Sequence, residues 1–170
     1  WVAEDVELVR SVDPEGRALL DDRFLYLSGE EGTEENSAVE HLLKGLEMDL
    51  PDGVYFTDKE GFHRRRSRVA WWLEPRLEPP MTVGEVAFPP STTESSSRLS
   101  EQDYDSLIGY DAEKPLFLGH YWLSGRPEPL TERIACLDYS VAAGGKLVAY
   151  TYRGEDRLLP ERFRWVPVER

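Results

Sequence analysis

Three histidines and one cysteine are the side chains of this 170-residue chain best suited to ligate a transition metal or move a proton near neutrality, so their positions carry the argument. His120 is the best placed. It follows an apolar run and a glycine in the stretch PLFLGHYWLSG, residues 115–125. Leu116, Phe117 and Leu118 read as a short buried strand, and Gly119 is expected to turn the backbone so that the imidazole is offered at the strand's end. In sheets with crossover connections, ligands gather at the carboxyl ends of strands, which suits a metal ligand or a general base. The other reading is a hydrogen-bonded histidine in a core of Tyr121 and Trp122. Spacing alone favours the latter, because one histidine does not make a site.

A second short apolar run, Ile134-Ala135-Cys136-Leu137, ends in Asp138. If the two runs are neighbours in one sheet, His120 and Asp138 face a common edge. His41 sits in the middle of a helical pattern and His63 beside a hairpin, so neither joins them. The chain has no Asp-x-His, no Asn-His-Glu and no helical His-x-x-x-His, and a complete metal site cannot be written from it. Cys136 lies inside an apolar run, where a thiol is inert, and no serine has the flanking glycines of a nucleophile elbow. Gly144-Gly145 precedes a strand pattern and reads as a turn, since phosphate-cradling glycines open a helix.

The elements that must position these residues begin with three helical patterns. Residues 2–12 place Val2, Val6, Val9 and Val12 at helical spacing, with Glu4, Asp5 and Glu7 in the first turns. Residues 18–27 form a second pattern, and 29–36 an acidic loop. Ser37 then caps a helix in which Val39, Leu42 and Leu43 face inward, ended by Gly45. Pro51-Asp52-Gly53 turns into a hairpin of Val54–Thr57 and a following strand. Arg64, Arg65, Arg66 and Arg68 reverse the local charge ahead of Trp71-Trp72. They read either as an anion-binding patch or as an edge strand with basic side chains in water above packed tryptophans. The prolines and serines of residues 74–100 predict a long irregular insertion, mobile around 91–98, followed by a short helix over 101–108. Late strands follow over 115–166, including an antiparallel one at 147–152 and a last one at 163–166.

Composition sets the outer limits. A 40% hydrophobic content with five Trp, eight Tyr and six Phe is enough for the core of one globular domain. The net charge of −13 excludes a nucleic-acid backbone as main partner. An anionic substrate would need a local cationic centre or a metal to offset that field. A single cysteine forms no internal disulfide and points to a reducing compartment, the cytoplasm. No apolar run approaches the ~20 residues of a membrane span, and no signal peptide is expected. The chain begins with Trp1, which leads to the expectation of a piece trimmed or cut from something longer.

The series Leu118-Gly119-His120-Tyr121-Trp122, Ala135-Cys136-Leu137-Asp138-Tyr139-Ser140 and Gly144-Gly145-Lys146-Leu147-Val148-Ala149-Tyr150 resembles the C-terminal part of calcineurin-like metallophosphoesterases. More narrowly, it is similar to the bacterial serine/threonine phosphatase or diadenosine-tetraphosphatase-like branch. The resemblance extends upstream to Val39–Gly45 and to residues 50–72, about two thirds of the chain. It implies an α+β fold, the C-terminal half of a β-sandwich flanked by helices. It also implies hydrolysis of phosphate monoesters or dinucleoside polyphosphates by water activated on a pair of divalent metals, Mn, Fe or similar. Partners would be a phosphorylated small molecule, a nucleotide or a phosphoprotein. His120 falls on the family's late Gly-His metal ligand, Asp138 on an acidic position that orients it, and Lys44 on an element that could bind phosphate. The family's Asp-x-His-Gly, Gly-Asp-x-x-Asp-Arg-Gly and Asn-His-Glu motifs have no counterpart here, so the chain alone is expected to be inactive. It is also expected to self-associate through surface meant for the missing half. The alternative is a non-catalytic interaction or regulatory module that retains the late strands.

Overall fold

The computed structural model describes residues 3–12, 21–57, 61–88 and 95–169. Among them are five helices and four small sheets, a mixed α/β architecture. Helix α1, Ala3–Val12, has Glu4 and Asp5 in its first turn and Arg10 in its last, each facing the dipole end that favours it. α2, Asp22–Ser28, starts where the Asp21 carboxylate accepts the Phe24 amide at 2.7 Å, and it buries Phe24. Residues 18–20 of the expected second helix lie outside the described residues.

α3, Glu34–Lys44, corrects the expected start at Ser37. Thr33 is the N-cap, its hydroxyl accepting the Asn36 amide at 3.1 Å, and Glu34 and Glu35 occupy the first turn. Carboxylates expected to line a solvated loop instead sit where the helix dipole stabilises them. Ala38 is the residue this helix buries, and Val39 and Leu42 are half-buried. Leu43, expected inside, is 71% exposed. Gly45 ends the helix at φ 84°, ψ 171°.

The arginine-rich run is β4, Arg66–Val69, and it is a central strand. It pairs antiparallel with β1, Glu47–Asp49, on one side and β5, Ala87–Phe88, on the other. The edge-strand expectation is therefore corrected: Ser67 and Val69 point into the core, Arg66 is exposed and Arg68 is half-buried. Trp71 and Trp72 are buried, as expected. β2, Phe56–Thr57, and β3, His63–Arg64, form the expected hairpin, whose residues 58–60 lie outside the described residues.

The stretch 74–100 is less irregular than its prolines imply. Thr82 and Glu85 form a capping box, the Glu85 carboxylate accepting the Thr82 amide at 2.7 Å, and start α4, Val83–Val86. β5 follows at once, and Val83, Val86 and Ala87 are core residues. The mobility expected at 91–98 falls partly on residues 91–94, outside the described ones. α5, Glu101–Tyr104, is capped by Ser100 and is shorter than expected.

The two apolar runs are neighbours. β6, Leu116–Leu118, pairs in parallel with β7, Ile134–Cys136, Leu116 opposite Ile134 and Leu118 opposite Cys136. β7 is buried along its length: Ile134 and Cys136 face the Trp71–Trp72 cluster, and Ala135 faces a cluster of Tyr139, Val148, Leu158 and Phe163. The chain continues into β8, Asp138–Tyr139, then β9, Lys146–Tyr150, and β10, Phe163–Pro167, which make an antiparallel sheet in the order β10-β9-β8. Gly144 and Gly145 close the β8–β9 turn. Among the described residues, no helix is long and apolar enough to cross a membrane.

Candidate functional site

Because β6 and β7 run in parallel and in register, the backbone that follows each leaves the sheet at one edge. Gly119 and Asp138 meet there: a Cβ on Gly119 would lie 3.9 Å from that of Asp138, an ordinary contact. Gly119 does not make the turn. His120 at φ 66° and Trp122 at φ 49° adopt the left-handed backbone instead. That conformation costs a non-glycine residue of order 1–3 kcal/mol and persists where surrounding structure imposes it.

Arg68 supplies much of that imposition. Its Nη1 donates to the His120 carbonyl, and its guanidinium lies over the Trp122 ring with Cζ 4.6 Å from the centroid. Tyr121, between them in sequence, points the other way into the core and is 3% exposed. Its hydroxyl donates to the Val69 carbonyl at 3.2 Å, and its ring packs edge-on against Trp72 and Phe88. Leu123 then donates to the Asp138 carbonyl at 2.9 Å, returning the chain to β8. The turn is thus held by β4 on one side and by the start of β8 on the other.

The His120 ring packs against the edge of Trp122, centroids 5.2 Å apart. Its pKa is held below the ordinary value, first by partial burial, then by the positive fields of Arg68 and Lys44, while Asp138 and Glu40 act in the opposite direction. The ring is therefore neutral at pH 7, the form that accepts a proton or binds a metal. Arg68 itself is pulled below its ordinary pKa by burial, against the opposing fields of Glu47, Tyr121, Asp138 and Glu40. It stays charged, as guanidinium does in proteins.

All three residues singled out from the sequence, His120, Asp138 and Lys44, come to this edge. They arrive in different roles. Lys44 is ion-paired with Glu40 one turn back on α3. The Asp138 Oδ1 accepts the Ser140 amide at 3.0 Å, so this carboxylate is engaged in its own turn and reaches His120 through its field. Glu40 is not singled out by the sequence, which reads Arg68 only as part of the arginine run, an anion-binding patch or an edge strand. For Arg68 a signal existed, since alternation along β4 separates it from Ser67 and Val69, but its burial depends on a pairing the sequence did not display.

The remaining candidates fall elsewhere. His41 Nδ1 lies 2.9 Å from Asp5 Oδ2 and ties α3 to α1. The His63 ring stacks on Tyr55 at 3.9 Å in the hairpin. The Cys136 thiol is pushed up to about 11 by burial and is inert near neutrality, as its apolar setting implied. Among the described residues no group of three or more His, Cys, Asp or Glu side chains could hold a metal ion. The edge therefore offers one neutral imidazole in the field of two cations, with carboxylates already engaged in other contacts. No family model, curated protein or solved structure matches the chain.

Proposed function

We propose that this chain is the C-terminal portion of a metal-dependent phosphoesterase and that His120 is one of its metal ligands. The observation that carries the reading is the neutral imidazole presented at the carboxyl edge of β6 by a left-handed turn that Arg68 holds in place. On this reading the small sheets belong to a two-layer sandwich whose other strands and metal ligands lie outside this chain. The described residues do not by themselves fit a two-metal centre, so no hydrolytic step is assigned to them. A metal pair, Mn, Fe or similar, supplies an activated water when bound. The chain's own contribution is to fix one ligand and, through Arg68 and Lys44, to set a positive field beside it in a protein of net charge −13. Substrates of this reading are a phosphorylated small molecule, a nucleotide or a phosphoprotein, and the compartment is the cytoplasm.

The test is metal-dependent hydrolysis of an aryl phosphate by this chain and by a version extended upstream. The extended form should be active and lose both activity and bound metal on His120→Ala. Full activity and full metal content in that variant would overturn the assignment. A second reading, a non-catalytic interaction module, is favoured by the exposed apolar residues beside the same edge, Leu43 at 71% and Phe117 at 36%.

A further inference from the structure

The two-stranded parallel sheet treats its outer edges differently. On the β7 side, the Ile134 amide donates to Thr131 Oγ1 at 3.0 Å, and the Ile134 carbonyl accepts the Leu130 and Thr131 amides at 2.8 and 3.2 Å. The 130–131 loop thus covers that edge at Ile134, and farther along it Cys136 is fully buried. On the β6 side nothing comparable occurs. The Leu116 amide donates to Arg133 O at 2.8 Å and the Leu118 carbonyl accepts the Leu137 amide at 2.9 Å, which directs the backbone of these two residues toward β7. By the geometry of a parallel ladder, the amide and carbonyl of Phe117 then point away from β7. Among the described residues no donor or acceptor meets them.

Both faces of β6 are partly covered. Leu116 and Leu118 pack on the Trp71–Trp72 cluster, and the Phe117 ring lies against Tyr150 and Tyr152 at 5.2 and 6.2 Å. Sheets of this kind are normally interior, with strands on both sides. Here the open edge faces a groove of about 220 Å³ walled by Leu42, Leu43, Gly45, Trp71 and Tyr121. It is apolar, and its floor carries unpaired peptide groups.

We propose that the open edge of β6 docks an extended segment of another polypeptide, which adds as a third strand with apolar side chains against Leu42 and Leu43. A peptide backbone is the ligand that matches an amide and a carbonyl set at strand spacing, and apolar side chains match the walls. The docked strand would end level with Gly119, next to His120, and close one side of the site. The inference does not rest on a phosphoesterase role.

Strand addition draws its affinity from the main chain, so a generic strand former is a sufficient probe. The full chain, labelled with ¹⁵N, is mixed with the end-blocked peptide Lys-Val-Thr-Val-Thr-Val-Lys at about 1 mM. Amide hydrogen exchange at Phe117 and Gly119 should slow roughly tenfold while the β2–β3 hairpin is unaffected. Two further peptides carry N-methyl groups on one or the other alternate set of residues. One set should abolish protection and the other should leave it. Absence of protection with the parent peptide, equal behaviour of the two methylated peptides, or protection centred elsewhere overturns the proposal. So does a concentration-dependent dimer that protects the same amides without peptide, which would assign the edge to a second copy.

Discussion

Gly45 links the helical part of the molecule to the His120 turn, and replacing it with alanine should displace both. Its φ of 84° and ψ of 171° lie in a region that is essentially reserved for glycine, where a side chain costs about 1–3 kcal/mol. A Cβ at this position would also overlap Tyr121 Oη and lie 3.1 Å from Cζ. The Tyr121 ring cannot swing aside cheaply, since it is 3% exposed, bonded to Val69 O and wedged between Trp72 and Phe88 at 5.0 and 5.1 Å. Overpacking of this kind adds about 1–3 kcal/mol. Gly45→Ala should therefore destabilise the protein by about 2–6 kcal/mol, a large share of a typical domain's stability. The cycle with Tyr121→Phe isolates the steric part. Alone, Tyr121→Phe loses one buried hydrogen bond, about 1 kcal/mol. In the alanine background it removes the overlapping oxygen and should be neutral or stabilising, a coupling of about 1–2 kcal/mol. Urea denaturation of the four proteins gives the cycle, and the His120 Hε1 resonance reports whether Lys44 has moved. A cost under about 1 kcal/mol for Gly45→Ala, or strict additivity, would refute the reasoning.

Two further predictions follow from Arg68 and the buried acids. Arg68→Gln should cost about 2–3 kcal/mol through loss of a charge-assisted bond to the His120 carbonyl, and should raise the His120 pKa as a neighbouring positive field is removed. Arg68→Lys keeps the charge but not the planar stack on Trp122, so it should restore the titration more fully than the stability; NMR titration and denaturation separate the two. The Cys136 thiol, pushed up to about 11, and the Tyr121 and Tyr139 phenols, both raised chiefly by burial, hold their protons more tightly folded than unfolded. The Cys136 contribution is complete below the unfolded thiol pKa near 9 and is lost as pH rises through 11, whereas those of the two phenols are complete below the unfolded phenol value of 10 and are lost above it. The urea midpoint should thus fall between pH 9 and 11, and thiol labelling at pH 8 should track unfolding; fast labelling of the native chain would contradict the burial of Cys136.

What could be read from the sequence, and what could not, traces to the range of the interactions involved. β6, β7 and the convergence of His120 with Asp138 were legible because apolar runs bounded by turn residues are local signals. The left-handed backbone of His120 and Trp122 was not, because a guanidinium 52 positions away in the chain holds it there, and Gly119 drew the credit. The position of Arg68 beside this turn depends on a further pairing. Residues 83–88 lie among prolines and serines, which masked a capping box at Thr82 and Glu85 that was itself a local signature. Without α4 and β5 the strand Arg66–Val69 has one neighbour and reads as an edge, where arginines belong in water. With β5 in place, Arg68 stands opposite Phe88 in the middle of a sheet, half-buried, and its side chain reaches the His120 turn. One overlooked two-residue strand thus converts a solvated basic patch into the residue that fixes the site, which is why the arginine run could not be interpreted before its neighbour was known.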